Sequence, residues 1–314
     1  MTYRVAVLMG GPSLEAEVSR TSAREVAAGL TQAGHEVVLV ELDAATTATL
    51  TDFAPDVVFP ALHGPPGEDG TVQGYLEILG LPYVGSDVHA SAAAMDKFLA
   101  KAVFQRAGLP IADDLLFGPH VPVREAERRI LDRFGDRVVI KPLRQGSAIG
   151  VTPVANGGDL GHGLEQALAL GDGILVEPYV LGREITVGVL DLAGESPTSF
   201  PVIEIITAAD EWYDYTNRYS ADGSRHVIPA PLGDQVNEAL QQIAVDAHIA
   251  LGCRDLSRAD FIVTDNDEIV LLEVNTLPGM TPTSLYPDGA RAVGISFDSL
   301  MDSLIRSAIA RRGD

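Results

Sequence analysis

The chain has 314 residues and a mass of 33.2 kDa, about twice the ~150 residues of one domain, so two or three compact units are expected. Hydrophobic residues make up 46% and charged residues 21%, a globular balance that excludes long disorder and leaves room for a sizeable core. A formal net charge of −22 repels phosphate backbones and anionic lipid, so neither nucleic acid nor a membrane is an expected partner.

Cys253 is the single cysteine, which rules out an intrachain disulfide. The apolar start from Val5 to Met9 is too short for a signal-peptide core, and no apolar run approaches the ~20 residues of a membrane span, so a cytoplasmic protein is expected. The basic residues are 19 Arg and only three Lys, namely Lys97, Lys101 and Lys141. A chain that otherwise uses Arg keeps Lys where a compact point charge is wanted, as at a phosphate.

In chain order, Arg4 to Met9 reads as a strand, Leu14 to Ala33 as a helix, His35 to Leu42 and Asp56 to Leu62 as strands, and Thr71 to Leu79 as a helix before Pro82 to Gly85. This alternation predicts βαβ units around a parallel sheet, with Ser13 as cap of the helix that follows Gly10-Gly11-Pro12. One helix is expected from about His89 to Ala107, stopped by Gly108 and Pro110. From Val138 the pattern turns to short strands: Val138 to Pro142, Val151 to Val154, Ile174 to Val180, Glu184 to Leu192 and Phe200 to Thr207, with one helix from Leu160 to Leu170. An antiparallel α+β unit is predicted there. Two amphipathic helices, Val236 to Leu251 and Phe297 to Arg311, flank a hairpin made of Ser257 to Asp265 and Glu268 to Asn275.

No Lys follows a glycine, so a Walker-type phosphate loop is absent, as are GxGxxG, HExxH and GxSxG patterns. The hairpin is more informative. With Asn266 and Asp267 as a two-residue turn, Asp265 faces Glu268, Asp260 faces Glu273 and Arg258 faces Asn275, the last four on one face. Opposed carboxylates repel, and a hard divalent cation such as Mg²⁺ reverses that sign. A solvated polar face is the plainer reading, but Phe261 to Val263 and Ile269 to Leu272 make both strands apolar around the acids. Arg258 beside them is either a salt-bridge partner or a group that stabilises a developing oxyanion. The loop from Asn275 to Leu285 offers the Gly279 N–H and Ser284 to an anion.

A second candidate lies mid-chain. Lys141 ends a strand, and Gly146 and Gly150 let backbone N–H groups approach phosphate oxygens. Glu177-Pro178-Tyr179-Val180 and then Glu184 set two acids around an apolar stretch. That pattern suits an adenine amine at Glu177, the ring edge at the Val180 backbone and ribose hydroxyls at Glu184, or else a half-exposed hairpin.

These residues, in this order, resemble the ATP-grasp superfamily and, within it, the D-alanine:D-alanine ligases. The likeness runs nearly end to end, through Gly10 to Ser19, His63 to Gly70 with Gln73-Gly74, Met95-Asp96-Lys97, Lys141-Pro142 with Gly146-Ser147, Tyr213-Asp214-Tyr215 with Arg218-Tyr219, and Glu273 to Met280. The resemblance implies a mixed α/β and α+β ATP-grasp fold. An N-terminal parallel-sheet unit (1–92) would precede a central unit (93–176) and a C-terminal unit (177–314), the last two clamping ATP. It implies ligation of two D-alanines through an acyl phosphate for peptidoglycan precursors, with ATP as co-substrate, Mg²⁺ or Mn²⁺, and a homodimer.

By matching position, Lys97 and Lys141 would meet the ATP phosphates, Glu177 and Val180 the adenine, and Glu184 the ribose, with Ser147, Tyr179 and Arg218 also binding ATP. Asp260, Glu273 and Asn275 would hold the metal. Glu15, with His63 nearby, would bind the first substrate, and Ser284 and Leu285 the second. Arg258 and Gly279 would stabilise the transferred oxygen, while Ser147 and Tyr219 would bond Glu15 and close a loop over Tyr213 to His226. Three positions depart from the family pattern: Arg218 replaces a usual Lys, Ala148 a common second Ser, and Pro178 lacks an N–H. The alternatives are a related ligase with another second amino or hydroxy acid, and a nucleotide-binding regulator without catalysis.

Overall fold

The computed structural model describes residues 1–154, 159–207 and 224–311. A parallel sheet in the order β2-β1-β3 comes first, from β1 (Arg4–Met9), β2 (Glu36–Glu41) and β3 (Val57–Pro60). Successive residues of β1 point to opposite faces. Val5 and Val7 enter a core with Val26 and Leu30 of α1 (Ala16–Gln32), while Ala6 and Leu8 enter another with Leu50 of α2 (Thr46–Phe53) and Leu76 of α3 (Thr71–Ile78). The last described helix, α10 (Phe297–Ala310), returns to seal the first of these cores with Leu300, Met301 and Leu304.

The middle of the chain forms a four-stranded antiparallel sheet, β4-β7-β5-β6, from β4 (Leu115–Phe117), β5 (Val138–Pro142), β6 (Thr152–Val154) and β7 (Ile174–Pro178). It is backed by α6 (Val123–Phe134) and α7 (Leu160–Leu168). The third sheet runs β11-β10-β8-β12-β13, with β9 added on β8. Its strands are β8 (Arg183–Asp191), β9 (Thr198–Ser199), β10 (Ile203–Thr207), β11 (Ser224–Val227), β12 (Asp255–Val263) and β13 (Ile269–Asn275). Its core takes Leu240 and Ala244 of α8 (Asp234–Leu251), and also Ala100 and Phe104 of α5 (Lys97–Arg106). The short α9 (Leu285–Ala292) follows β13.

Several expectations need correction. The helix expected from His89 to Ala107 is two, α4 (Val88–Met95) and α5, because Asp96 leaves helical geometry at ψ 103° and its carboxylate accepts from the Phe98 and Leu99 N–H groups. An aspartate is a better cap than a mid-helix residue. Ser13 does not cap α1: Glu15 occupies that position, and the Ser13 hydroxyl accepts from the Glu15 N–H at 3.1 Å. The strand expected from Phe200 to Thr207 forms only from Ile203, as β10; Phe200 lies just past the end of β9, and its N–H donates to Gly188 O.

The expected two-residue hairpin turn is wrong, although its pairings at the acids are right. Thr264 N donates to Glu268 O at 3.0 Å, leaving a three-residue loop that ends on Asp267 at φ +61°, a geometry hairpins favour. A bulge then restores the register: Phe261 pairs with Leu271, but Asp260 pairs with Glu273 and Arg258 with Asn275, so Leu272 is the extra residue. Neighbours on a regular strand face opposite ways. The bulge is what lets Leu272 and Glu273 line one cavity together.

Candidate active site

Two clefts of about 870 and 820 Å³, open mouths included, meet at a common wall of Lys97, Gln145 and Glu273. The first collects loops from all three sheets. Glu15 comes from the β1–α1 turn, His63 and Glu68 from the β3–α3 loop, and Gly146 and Ser147 from the β5–β6 loop; Arg258 comes from β12, Asn275 from β13, and Gly279, Ser284 and Leu285 from beyond it. The second lies between the four-stranded and six-stranded sheets, lined by Lys141, Glu177, Tyr179, Val180 and Glu184. Ile262 and Leu272 form its apolar wall.

The β1–α1 turn is built for close approach. Gly64 sits at φ +66°, and a Cβ there would stand 2.6 Å from Ser13 Oγ and 2.9 Å from Glu15 Oε2. Glu15 is buried, and Ser147 Oγ, at a left-handed position of its own loop, donates to Glu15 Oε1. Residues far apart in sequence are thereby joined. Glu68 is buried next to them, and Gly64 N donates to its Oε2 at 2.5 Å. Burial, reinforced by the Glu15 charge, pushes the Glu68 carboxyl up to about 8. Burial, with help from Arg258, pushes His63 down to about 4, so its ring is neutral at pH 7.

Arg258 grips Asp260 two residues along the same strand, Nε to Oδ1 at 2.8 Å and Nη2 to Oδ2 at 2.7 Å, and Thr186 Oγ1 adds a bond to Oδ1 at 2.6 Å. Asp260 borders neither cleft directly, but it fixes the guanidinium that lines the first. Asn275 Oδ1 accepts from Leu277 N at 2.9 Å, which turns the chain into the Gly279 loop. Two carboxylates opposed across one ladder, with a carboxamide on the same face, form the hard-oxygen donor set that Mg²⁺ takes. These residues fit that ion.

Lys97 and Lys141 line the second cleft, and Lys101 pairs with its Glu177. Lys97 Nζ donates to Gln145 O at 2.7 Å and stands 3.9 Å from Glu273, while the Lys97 N–H holds Leu143 O at 3.1 Å. Arg144 joins Asp96 at 2.9 Å, so the start of α5 fixes the loop after β5 from three sides. Lys101 and Lys141 each bind one oxygen of Glu177. Burial alone would raise the Glu177 carboxyl, but the two ammonium groups outweigh it and hold it below the usual range. A nucleotide amine at Glu177 would therefore share a carboxylate already engaged on both oxygens.

Ser284 is also engaged. Its N–H donates to Thr281 O at 3.0 Å, and its hydroxyl accepts from Thr281 N at 2.9 Å. Leu285 opens α9 and is buried. Arg218, Tyr219 and most of the expected loop from Tyr213 to His226 lie outside the described residues. Sequence reasoning missed Glu68, Lys101 and Gln145. Glu68 was visible in the loop from His63 to Gly70, and Lys101 in the scarcity of lysine; Gln145 acts through its backbone and gave no signal.

Two family models match the sequence: one described as D-ala D-ala ligase N-terminus over residues 45–86, the other as D-ala D-ala ligase C-terminus over residues 103–306. A D-alanine–D-alanine ligase of Moorella thermoacetica is 44% identical over 309 residues, covering 98% of this chain and 99% of that protein. The crystal structure of a D-alanine–D-alanine ligase from Bacillus anthracis complexed with ATP superposes with a TM-score of 0.84 at 31% identity, over 99% of both chains. A D-Ala:D-Ser ligase from Enterococcus faecalis superposes with a TM-score of 0.83 at 30% identity, over 98% of this chain and 100% of that one.

Proposed function

This chain belongs to the D-alanine–D-alanine ligase family, and from that premise we propose how its two clefts divide the reaction. The activity is ATP-dependent joining of two D-alanines, which serves peptidoglycan synthesis, with ATP and Mg²⁺ as the family's cofactors. Units 1–92, 93–176 and 177–314 contribute together. The second cleft takes the nucleotide, with adenine against Tyr179, Val180 and the edge of Glu177, ribose at Glu184, and phosphates at Lys97 and Lys141, the tail reaching Ser147 of the first cleft across the shared wall. The first cleft takes the amino acids, one with its ammonium at Glu15 beside His63, the other with its carboxylate at Ser284 and Leu285.

A carboxylate is a poor electrophile until one oxygen becomes a leaving group. The first D-alanine's carboxylate oxygen attacks the terminal phosphorus, the bond to ADP breaks, and an acyl phosphate results. The second D-alanine's amine then attacks the acyl carbon and loses a proton, and the carbon–oxygen bond to phosphate breaks. Mg²⁺ held by Asp260, Glu273 and Asn275 would supply charge neutralisation at the phosphates. Arg258, fixed by Asp260, and the Gly279 N–H stabilise the oxygen that gains charge.

The single observation that supports this division is the wall shared by both clefts, Lys97, Gln145 and Glu273, where a triphosphate tail would meet a carboxylate. The test is ADP release and dipeptide formation by the purified protein with Mg²⁺-ATP and a panel of D- and L-amino acids, D-serine and D-lactate. D-alanyl-D-alanine is the expected product, and ligation of L-amino acids alone would sink the proposal. The likeness to a D-Ala:D-Ser ligase makes D-serine the most instructive competitor, because pocket selectivity rests on few contacts. A homodimer working in the cytoplasm is the proposed setting, checked by light scattering and fractionation.

A further inference from the structure

Ser22 lies on α1, facing inward, 1% exposed. Its Oγ stands 3.1 Å from His63 Nε2, in the β3–α3 loop, and accepts from Met280 N, in the loop after β13, at 3.3 Å. Three separate segments thus meet on one hydroxyl, which owns a single proton and two lone pairs. The Met280 N–H takes one lone pair. With the ring proton on Nε2, the second lone pair would be taken too, and the serine's own proton would be buried with no acceptor. With the ring proton on Nδ1, each group has its partner: Met280 N–H to Ser22 Oγ, and Ser22 O–H to His63 Nε2. His63 borders the first cleft, and its Nδ1 is not among the sealed polar atoms of the described residues that lack a partner.

We propose that Ser22 is a positioning residue which, anchored by the Met280 N–H, fixes His63 as the Nδ1–H tautomer and so presents a hydrogen-bond donor to an anionic oxygen of the amino acid bound beside Glu15. The tautomer follows from the hydrogen bonds alone, whereas the acceptor's identity rests on the reading of the two clefts above. The ring's low affinity for a proton, set by burial and Arg258, keeps it a donor rather than a base through the neutral range. The same hydroxyl ties His63 to Met280, directly after the Gly279 N–H, so the donor and the oxyanion group are set by one contact.

Long-range ¹H–¹⁵N NMR of the ligand-free, ¹⁵N-labelled protein at pH 7 reads the tautomer directly, with His63 identified by the loss of its signals in His63→Asn. Protonated Nδ1 and unprotonated Nε2 are expected; a majority of Nε2–H overturns the proposal without any variant. Ser22→Ala should release the ring into a mixture of tautomers and lower kcat/KM for D-alanine by about tenfold, as for a weakened bond to a charged group. Ser22→Thr, which keeps the hydroxyl, should restore the single tautomer. His63→Asn, whose amide nitrogen overlays Nδ1, should retain about tenfold more kcat/KM than His63→Gln, whose amide nitrogen overlays Nε2. The opposite order refutes the donor role. An Nδ1–H ring in a protein that does not use D-alanine upholds the relay and overturns only the substrate assignment.

Discussion

The Lys101–Glu177–Lys141 cluster gives the sharpest test of the energetics. In Glu177→Gln the side chain keeps its shape but loses its charge, and two ammonium groups that are 5% and 13% exposed face a neutral amide. Lys101 retains Asp114 at 3.1 Å and Ala112 O at 2.8 Å. Lys141 loses its one ion-pair partner among the described residues. Breaking a buried pair on one side leaves an uncompensated charge and costs about 3–5 kcal/mol, a large part of a total stability of roughly 5–15 kcal/mol. A second substitution, Lys141→Met, removes the stranded charge, so Glu177→Gln/Lys141→Met should recover more than half of the loss.

The pH dependence has a definite sign. Because the folded state depresses the Glu177 carboxyl, its stabilisation is present above the ordinary carboxylate range and is lost as pH falls through the depressed value. Urea unfolding followed by circular dichroism from pH 3 to 8 should therefore show the wild type losing more stability on acidification than the variant. A deficit in Glu177→Gln below about 1 kcal/mol at pH 7, or no recovery in the double variant, would refute a buried, mutually dependent triad.

Arg258→Ala should lower kcat by at least about 100-fold with a smaller change in ATP affinity, and Arg258→Lys should not restore it, because only a guanidinium reproduces the two-point grip on Asp260; equal losses in both would indicate a structural role. Glu68, pushed up to about 8, keeps its proton in the folded state where the unfolded chain has lost it, so its contribution is complete below the ordinary carboxylate range and disappears as pH rises through about 8. Glu68→Gln should then be flatter than wild type in thermal melts between pH 5 and 9, and parallel curves would count against the assignment. Gly64→Ala forces a Cβ to 2.6 Å from Ser13 Oγ at a left-handed position, so a loss of at least about 1 kcal/mol and a raised KM for D-alanine are expected from melts and kinetics. Removing Mg²⁺ with EDTA should abolish turnover and Mn²⁺ should restore it, while turnover that persists in EDTA would discard the metal reading.

Local chemistry was legible where a short signal coincided with the final structure. The period-two apolar pattern of β1, the hairpin that faces Asp260 with Glu273, and the segregation of lysine to one region could all be read along the chain. Of the helices that escaped, α2 has a weak local signal, being rich in threonine, a poor helix former, and burying only Thr46 and Leu50; α6, built largely of Arg, Glu, Ala and Leu with Ala126 and Ile130 one turn apart on its buried face, did carry a helical signal. Asp96 looked like the middle of one helix because the break depends on its carboxylate turning back to cap α5.

What the chain determined by itself was most of the sheet strands, the kinds of donor and acceptor available, and that Asp260 and Glu273 lie on one hairpin. Tertiary structure alone decided which of them touch. Glu177 reads as an open acceptor until two lysines from α5 and β5 close on it, and Glu68 reads as a loop residue until Glu15 is buried beside it. The bulge at Leu272 likewise shows only in the paired sheet, where it offsets the extra residue of the turn. Charge and hydrogen-bond energies depend on distance and on exclusion of water, and both are properties of packed neighbours rather than of sequence separation.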